Sequence, residues 1–153
     1  MIPGIRAEVR VVLPLERVRP ALLDLGWPWL GGPGLEATRE IELSGNMRRL
    51  KLVLLGITAL PDELIAQVEV HRIAVLRTSQ LKGEIRFQSN RSTTNAVFTG
   101  SAAAESFDID SRRDARGPAF DLATAVLKNI VHDLELSQLA GVPSARPASG
   151  PRR

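Results

Sequence analysis

The chain lacks cysteine and tyrosine and is poor in aromatic residues. Among its 153 residues, Phe and Trp together make up only 4%. The absence of cysteine excludes disulfide bonds and every zinc site built on thiolate ligands. With two histidines in the whole chain, a His-rich metal site is also excluded unless carboxylates supply most of the ligands. We therefore expect no metal site, and we expect no other cofactor.

Long hydrophobic runs are missing as well. No stretch approaches the roughly 18 apolar residues that a membrane-spanning helix needs. The N-terminal residues 1–13 (MIPGIRAEVRVVL) have too short an apolar run for a signal peptide. Hydrophobic residues at 44% and charged residues at 24% are an ordinary globular balance. These features predict a soluble protein of the cytoplasm with no transmembrane segment.

Outside its last twelve residues, the chain also has no excess of positive or negative charge. The chain has 20 basic and 17 acidic residues, and the segment 142–153 (VPSARPASGPRR) contributes three arginines and no acid. We predict a single domain over 1–141, which is formally neutral, and a disordered basic tail at 142–153, where Pro, Ser, Ala and Gly dominate. A neutral domain with few stacking aromatics argues against nucleic-acid binding, although Arg48, Arg49 and Lys51 remain candidates for a local basic patch.

Alternating apolar and polar residues predict a first strand and about six further ones. Period-two alternation over consecutive segments joined by short turns indicates an antiparallel meander with one face in water. The segment RRLKLVLLGI is apolar on both faces, which suggests cover on both sides. The predicted strands are 5–13, 38–44, 48–57, 63–72, 73–79, 81–89 and 93–104.

Helical patterns occur after the first strand and at the end of the chain. Residues 14–27 (PLERVRPALLDLGW) predict a helix with a kink at Pro20, or two short helices with the second beginning near it, because proline lacks an amide donor. Residues 118–139 predict one long amphipathic helix. Its apolar stripe comprises Phe120, Ala123, Leu127, Ile130 and Leu134.

Two segments carry a family resemblance. VRVVLPLERVRPALLDLGWPWL is similar to the first strand and short helices of the SRPBCC superfamily, and PAFDLATAVLKNIVHDLEL is similar to its C-terminal helix. This superfamily includes START-type lipid carriers and polyketide cyclase-like proteins. The resemblance implies an α+β helix-grip fold, in which a curved antiparallel sheet of six to seven strands packs around the last helix.

In such a fold the space between the sheet and the helix is either packed core or a cavity for an apolar ligand. Trp27 and Trp29, on either side of Pro28, would cap the mouth of a cavity or plug the edge of the core. The predicted ligand-binding residues, each of which is alternatively packed core, are Trp27, Leu52, Leu54, Val68, Ile85, Phe87, Phe98, Leu127 and Val131.

No segment carries a catalytic or metal-binding signature. His71 and Glu69 share a strand face, where they form either an acid–base pair or a solvated ion pair. His132 on the last helix is interpreted as a surface histidine. The aspartates of FDIDSRRD (107–114) resemble the start of a calcium loop, but Arg112 occupies the third ligand position, so this segment is interpreted as a charged turn.

Three functions remain open. The favoured one is binding or carrying a hydrophobic small molecule or lipid in the sheet–helix cavity. The second is a cyclase-like or hydrolase-like enzyme, for which the inward polar candidates are Arg39, Arg72, Asn95 and Thr99. The third is an assembly protein with a solid core that forms homo-oligomers. The outer apolar residues that would build its subunit interface are Val53, Leu55, Ile57 and Ile65.

Overall fold

Six β-strands and two α-helices occupy the part of the chain that the computed structural model describes, namely residues 2–23, 36–43, 45–73, 78–102 and 116–139. The predicted α+β class is confirmed. Neither helix in these ranges combines the length and apolar character needed to cross a membrane. In chain order the elements are β1 (Ile2–Val11), α1 (Leu15–Leu23), β2 (Glu36–Leu43), β3 (Asn46–Leu60), β4 (Glu63–Ile73), β5 (Thr78–Asn90), β6 (Thr93–Ala102) and α2 (Arg116–Leu139).

All neighbouring strands in the sheet are antiparallel, in the order β1-β6-β5-β4-β3-β2. Strands β2 to β6 therefore form the predicted meander, and β1 pairs with its last strand. The two edge strands, β1 and β2, both contact α2. A sheet whose opposite edges meet the same helix must be curled, and it forms a half-barrel with α2 across its open side. This arrangement confirms the predicted helix-grip architecture.

The predicted strand 73–79 is not a separate element. Ile73 is the last residue of β4, and Thr78 is the first residue of β5. Residues 74–77 lie outside the described ranges. The sequence of this segment alternates poorly because it contains the connection between two longer strands.

Gly83 of β5 and Gly100 of β6 lie opposite each other in the sheet. A Cβ atom at Gly83 would overlap the carbonyl oxygen of Thr99 and come within 2.7 Å of the Gly100 Cα atom. A Cβ atom at Gly100 would likewise overlap the carbonyl oxygen of Lys82. Only glycine permits two backbones to approach this closely. The close approach of β5 and β6 at this point thus depends on a glycine in each strand.

The concave face of the sheet and one face of α2 enclose the hydrophobic core. The alternation predicted for β4 is confirmed, because Leu64, Ala66, Val68 and Val70 are each 1% exposed. Their neighbours at odd positions, such as Gln67, face outward. Burial on one face only is the reason why the period-two pattern was readable in the sequence.

Helix α1 continues through Pro20 as one helix, so the predicted alternative of a second helix beginning near Pro20 is wrong. The amide nitrogens of Arg17 and Val18 donate to the Pro14 carbonyl oxygen at 2.9 and 3.2 Å and form the first turn. In an α-helix the missing amide of Pro20 would have served the carbonyl of Glu16. Both of these residues are exposed, so water can satisfy that carbonyl.

Strand β3 contains a bulge that changes the face of its last residues. Leu54 lies opposite Val68, whereas Gly56 lies opposite Gln67, so one extra residue is accommodated between them. An extra residue reverses the alternation that follows it. Ile57 consequently packs against the core, and its predicted position on the outer face is wrong. The suggested cover on both sides of β3 is also wrong at Leu55, which is 58% exposed.

The buried face of α2 is shifted from the predicted stripe at its N-terminal end. Phe120 is 45% exposed, whereas Leu122 is 1% exposed. Ala123, Leu127, Ile130 and Leu134 are buried as predicted. The helix begins two residues earlier than expected, at Arg116. Phe120 lies in its second turn on the side that faces away from the sheet.

Candidate ligand-binding cleft between β2 and α2

Helix α2 is hydrogen-bonded to both edges of the sheet through its C-terminal half. At the β1 edge, the backbone nitrogen of Val12 donates to Glu135 Oε2 at 2.9 Å. At the β2 edge, Arg39 Nη1 donates to Asn129 Oδ1 at 2.9 Å and to Asp133 Oδ2. These contacts hold the C-terminal half of α2 against both edge strands, across the open side of the half-barrel.

Next to the Arg39 contact, the end of β2 and the helix border an open cleft of about 600 Å³. This volume lies within the range of roughly 300–1,000 Å³ that is typical of small-molecule sites. Because β2 is the edge strand, the cleft opens at the side of the half-barrel. Its lining residues are Ile41, Glu42, Leu43, Asp121, Thr124, Ala125, Lys128, Asn129 and His132.

The lining of this cleft is amphipathic. Ile41, which is 5% exposed, belongs to the core, and Leu43 and Ala125 are half-buried and pack against the core. Charged side chains from both elements form the outer part, with Glu42, Asp121 and Lys128 exposed. A molecule in the cleft would therefore meet an apolar floor and a polar rim.

Among the described residues, two buried side-chain atoms have no hydrogen-bond partner: Arg48 Nε and Thr124 Oγ1. Thr124 is one of the lining residues. Arg48 of β3 lies opposite Ile41 of β2, so the two residues share the concave face. Buried polar groups are almost always hydrogen-bonded in folded proteins. Arg48 is not among the residues that line the cleft.

The eight described residues of the predicted ligand-binding set belong to the core or pack against it. Leu54 is half-buried and packs against the same cluster, and Trp27 lies outside the described residues. None of the eight described residues of the predicted set lines the β2–α2 cleft. Their contact with a ligand stays a prediction. The other seven, each at most 4% exposed, are Leu52, Val68, Ile85, Phe87, Phe98, Leu127 and Val131.

Two of the polar residues proposed for an enzyme site point away from the concave face. Asn95 lies opposite Gln88, and Thr99 lies opposite Glu84, so both belong to the convex face and their predicted inward orientation is wrong. The alternation of β6 is ambiguous because apolar residues occur on both of its faces. Val97 is on the convex face and yet is as buried as the residues of the concave face.

His71 and Glu69 form the predicted pair on the convex face of β4. His71 Nε2 lies 3.2 Å from Glu69 Oε1, and Lys82 Nζ lies 3.8 Å from Glu69 Oε2. This surface also contains a second depression of about 400 Å³ that Glu69 and Lys82 help to line. The lysine makes Glu69 part of an ion-pair cluster rather than a base dedicated to His71.

The ion pairs continue across β4 and β5. Arg86 Nε donates to Glu84 Oε2 at 2.7 Å, and Arg86 Nη1 lies 3.2 Å from Glu63 Oε2. The hydrogen bond that Arg86 donates to Glu84, together with the negative charges of Glu84 and Glu63, raises the pKa of Arg86 above its ordinary value. The convex face at these strands is a charged, solvated surface.

The candidate basic patch is divided between two faces of β3. Arg49 lies opposite Glu40, and Lys51 lies opposite His71, on the convex face. Arg48 lies on the concave side, opposite Ile41. The three cations therefore do not form one surface that a nucleic-acid backbone could follow.

Within the described ranges, no group of three or more His, Asp or Glu side chains is placed to hold a metal ion. The aspartates at 108, 110 and 114 fall outside those ranges. His132 is exposed on α2 at the rim of the cleft, as predicted for a surface histidine.

The fold and the cleft define an α+β protein with a curled antiparallel sheet, closed by a C-terminal helix that leaves a side opening. No protein-family model matches the chain, and no curated protein matches it. Among solved structures it is similar to DynU16, a protein from the dynemicin biosynthetic locus, with a TM-score of 0.46 and 16% sequence identity. The similarity covers 93% of this chain and 49% of DynU16, so this chain spans about half the length of that protein.

Proposed function

We propose that this protein binds or carries a small hydrophobic molecule or lipid between the sheet and its C-terminal helix. The observation that carries the proposal is the cleft of about 600 Å³ between β2 and α2. An apolar floor with a polar rim suits a molecule with an apolar body. The cleft adjoins the core through Ile41, which is both a lining residue and a member of the core.

The β2 side is also the more open side of the helix. Helix α2 packs more extensively on β1 than on β2. A ligand entering at β2 would therefore displace fewer packed side chains than one entering at β1. A bound molecule longer than the cleft would extend into the core. There it would meet predicted ligand-binding residues such as Leu52 on β3 and Leu127 on α2.

The assembly alternative has weaker support. Ile57 is removed from the outer apolar set by the bulge in β3. The remaining residues are separated by charged positions, since Val53 lies opposite Glu69 and Ile65 lies opposite Arg86. Interfaces of permanent oligomers are more apolar than this.

The proposal is tested with the neutral fluorescent probe N-phenyl-1-naphthylamine. We expect saturable binding with a micromolar dissociation constant to the wild-type protein. The Ala125→Trp variant fills the cleft and should weaken that binding by roughly tenfold or more. Leu136→Trp is the matched control, because Leu136 is on the same helix, is 52% exposed and does not line the cleft.

Leu136→Trp should leave the affinity unchanged, and circular dichroism should be the same for all three proteins. The proposal is overturned if the wild-type protein does not bind the probe saturably. It is equally overturned if Ala125→Trp binds as tightly as the control.

A further inference from the structure

Helix α2 is held unequally by the two edges of the sheet. Of the described elements it packs most extensively on β1, and it also contacts β6, which is the neighbour of β1 in the sheet. Three inward residues of β1 are at most 2% exposed, namely Ile5, Ala7 and Val11. The β1 side of the helix therefore rests on buried apolar surface.

The β2 side of the helix is attached differently. The inward residues Arg39 and Leu43 of β2 are only half-buried, and the cleft lies between the end of this strand and the helix. The direct contact is polar, because Arg39 Nη1 donates to Asn129 Oδ1 at 2.9 Å and to Asp133 Oδ2. Since these groups are half-buried, water can replace each partner as the two elements separate.

The two attachments differ in what it costs to break them. Separating α2 from β1 would expose buried apolar side chains to water, which is the costly change. Separating it from β2 would mainly exchange the hydrogen bonds of Arg39 for hydrogen bonds to water, and the net contribution of such bonds to stability is small. The side chain that this separation would uncover is Leu50, which is 0% exposed and lies opposite Arg39 on β3.

We propose that α2 is a lid that opens at the β2 edge and pivots on the β1 edge, and that Arg39 with its partners Asn129 and Asp133 is the latch of this lid. Opening connects the cleft with the core residues of the concave face, of which Leu50 is the one beside Arg39. For the proposed function, on which this consequence rests, the opening is the route by which the apolar part of a ligand enters the core.

Because the chain contains no cysteine, a single introduced thiol can report the opening. Leu50→Cys reports on the β2 side. Ile5→Cys loses a similar volume at a residue of β1 that is 1% exposed, and it reports on the β1 side. Each variant is treated with N-ethylmaleimide at increasing urea concentrations below the unfolding transition, and mass spectrometry follows the labelling.

The dependence on urea separates opening of the lid from global unfolding. A lid opening exposes little surface, so the labelling rate of Leu50→Cys should be nearly independent of urea. The thiol of Ile5→Cys should be reached only through global unfolding, so its labelling rate should rise steeply with urea.

Arg39→Met removes the latch and keeps the apolar stem of the side chain. It should raise the urea-independent labelling rate of Leu50→Cys by roughly tenfold. Glu135→Met is the matched control, because it removes the contact of the helix with Val12 at the β1 edge. This control should leave that rate unchanged, whatever it does to global unfolding.

The inference is overturned if the labelling of Leu50→Cys and Ile5→Cys depends on urea in the same way, because the β2 side then opens only when the whole protein unfolds. It is also overturned if Glu135→Met accelerates labelling as much as Arg39→Met does. Leu52→Cys is the second probe if Leu50→Cys does not fold, because Leu52 is 0% exposed on the same face of β3.

The labelling needs no ligand, so failure of the lid is distinguishable from failure of the proposed function. If N-phenyl-1-naphthylamine binds to the wild-type protein but labelling shows no local opening, the lid inference fails and the proposed function stands. If labelling shows the local opening but the probe does not bind, the proposed function fails and the lid inference stands.

Discussion

Arg39 on the edge strand β2 and Asp133 on α2 form an ion pair that joins one edge of the curled sheet to the helix that covers it. Asn129, one turn earlier on α2, accepts a hydrogen bond from the same guanidinium nitrogen. At the opposite edge, the Val12 amide donates to Glu135. The helix therefore bridges two strands that are not neighbours in the sheet, and the cleft lies beside one of its two attachments.

The first prediction concerns the strength of the Arg39–Asp133 pair. Its side chains are 34% and 21% exposed, so water screens their interaction only partly. In a double-mutant cycle of Arg39→Met and Asp133→Asn, we expect a coupling energy of about 1 kcal/mol in the free energy of unfolding. Urea denaturation measures it.

The control for that cycle is the exposed pair Arg6–Glu8, whose side chains are 60% and 41% exposed. Its coupling should be near zero, because exposed ion pairs are screened by solvent. Equal coupling for the two pairs would contradict the assignment of Arg39–Asp133 as the attachment of the helix.

The second prediction concerns the close approach of β5 and β6 at Gly83 and Gly100. Gly83→Ala should lower the free energy of unfolding by at least about 3 kcal/mol, because the new Cβ atom meets the backbone of Thr99 and backbone cannot move aside as a side chain does. Gly56→Ala is the matched control within a strand, since nothing lies within 4 Å of a Cβ atom there. We expect that control to change stability by less than about 0.5 kcal/mol. A mild effect at Gly83 would show that the two strands can move apart at this point.

The third prediction concerns the buried hydroxyl of Thr94 in β6. Thr94 is 0% exposed, and its Oγ1 donates to the Leu13 carbonyl oxygen at 2.8 Å. Thr94→Val keeps the shape and leaves that carbonyl without its donor, so we expect a loss of about 1–2 kcal/mol in thermal or urea unfolding. Thr93→Val removes a hydroxyl whose hydrogen bond to the Asn90 carbonyl is exposed. This control should lose less than about 0.5 kcal/mol, and a loss equal to that of Thr94→Val would contradict the prediction.

The class and topology were predictable because each strand has one wet face and one buried face. Leu81, Ile85 and Phe87 alternate with charged residues, so their phase is unambiguous. The misassigned residues belong to places where this contrast fails. β6 has apolar residues on both faces, which left the orientation of Asn95 and Thr99 undecided by pattern alone.

The cleft was less predictable than the fold. Inward apolar residues were predicted to bind the ligand, and these residues form the core. The cleft is instead lined largely by polar residues of an edge strand and a helix. No pattern in the sequence singles out the lining residues, since Arg48, which interrupts the apolar face of β3, is not one of them.

The last prediction uses the bulge in β3, which sequence alternation did not reveal. Ile57 packs against the core, whereas Leu55 is 58% exposed, although the two residues have the same parity in the sequence. Ile57→Ala should therefore cost about 1–2 kcal/mol in the free energy of unfolding, because it removes partly buried methyl groups. Leu55→Ala should cost less than about 0.5 kcal/mol. Urea denaturation of both variants tests the bulge. Without it, both side chains would lie on one face, and the two variants would lose similar free energies of unfolding.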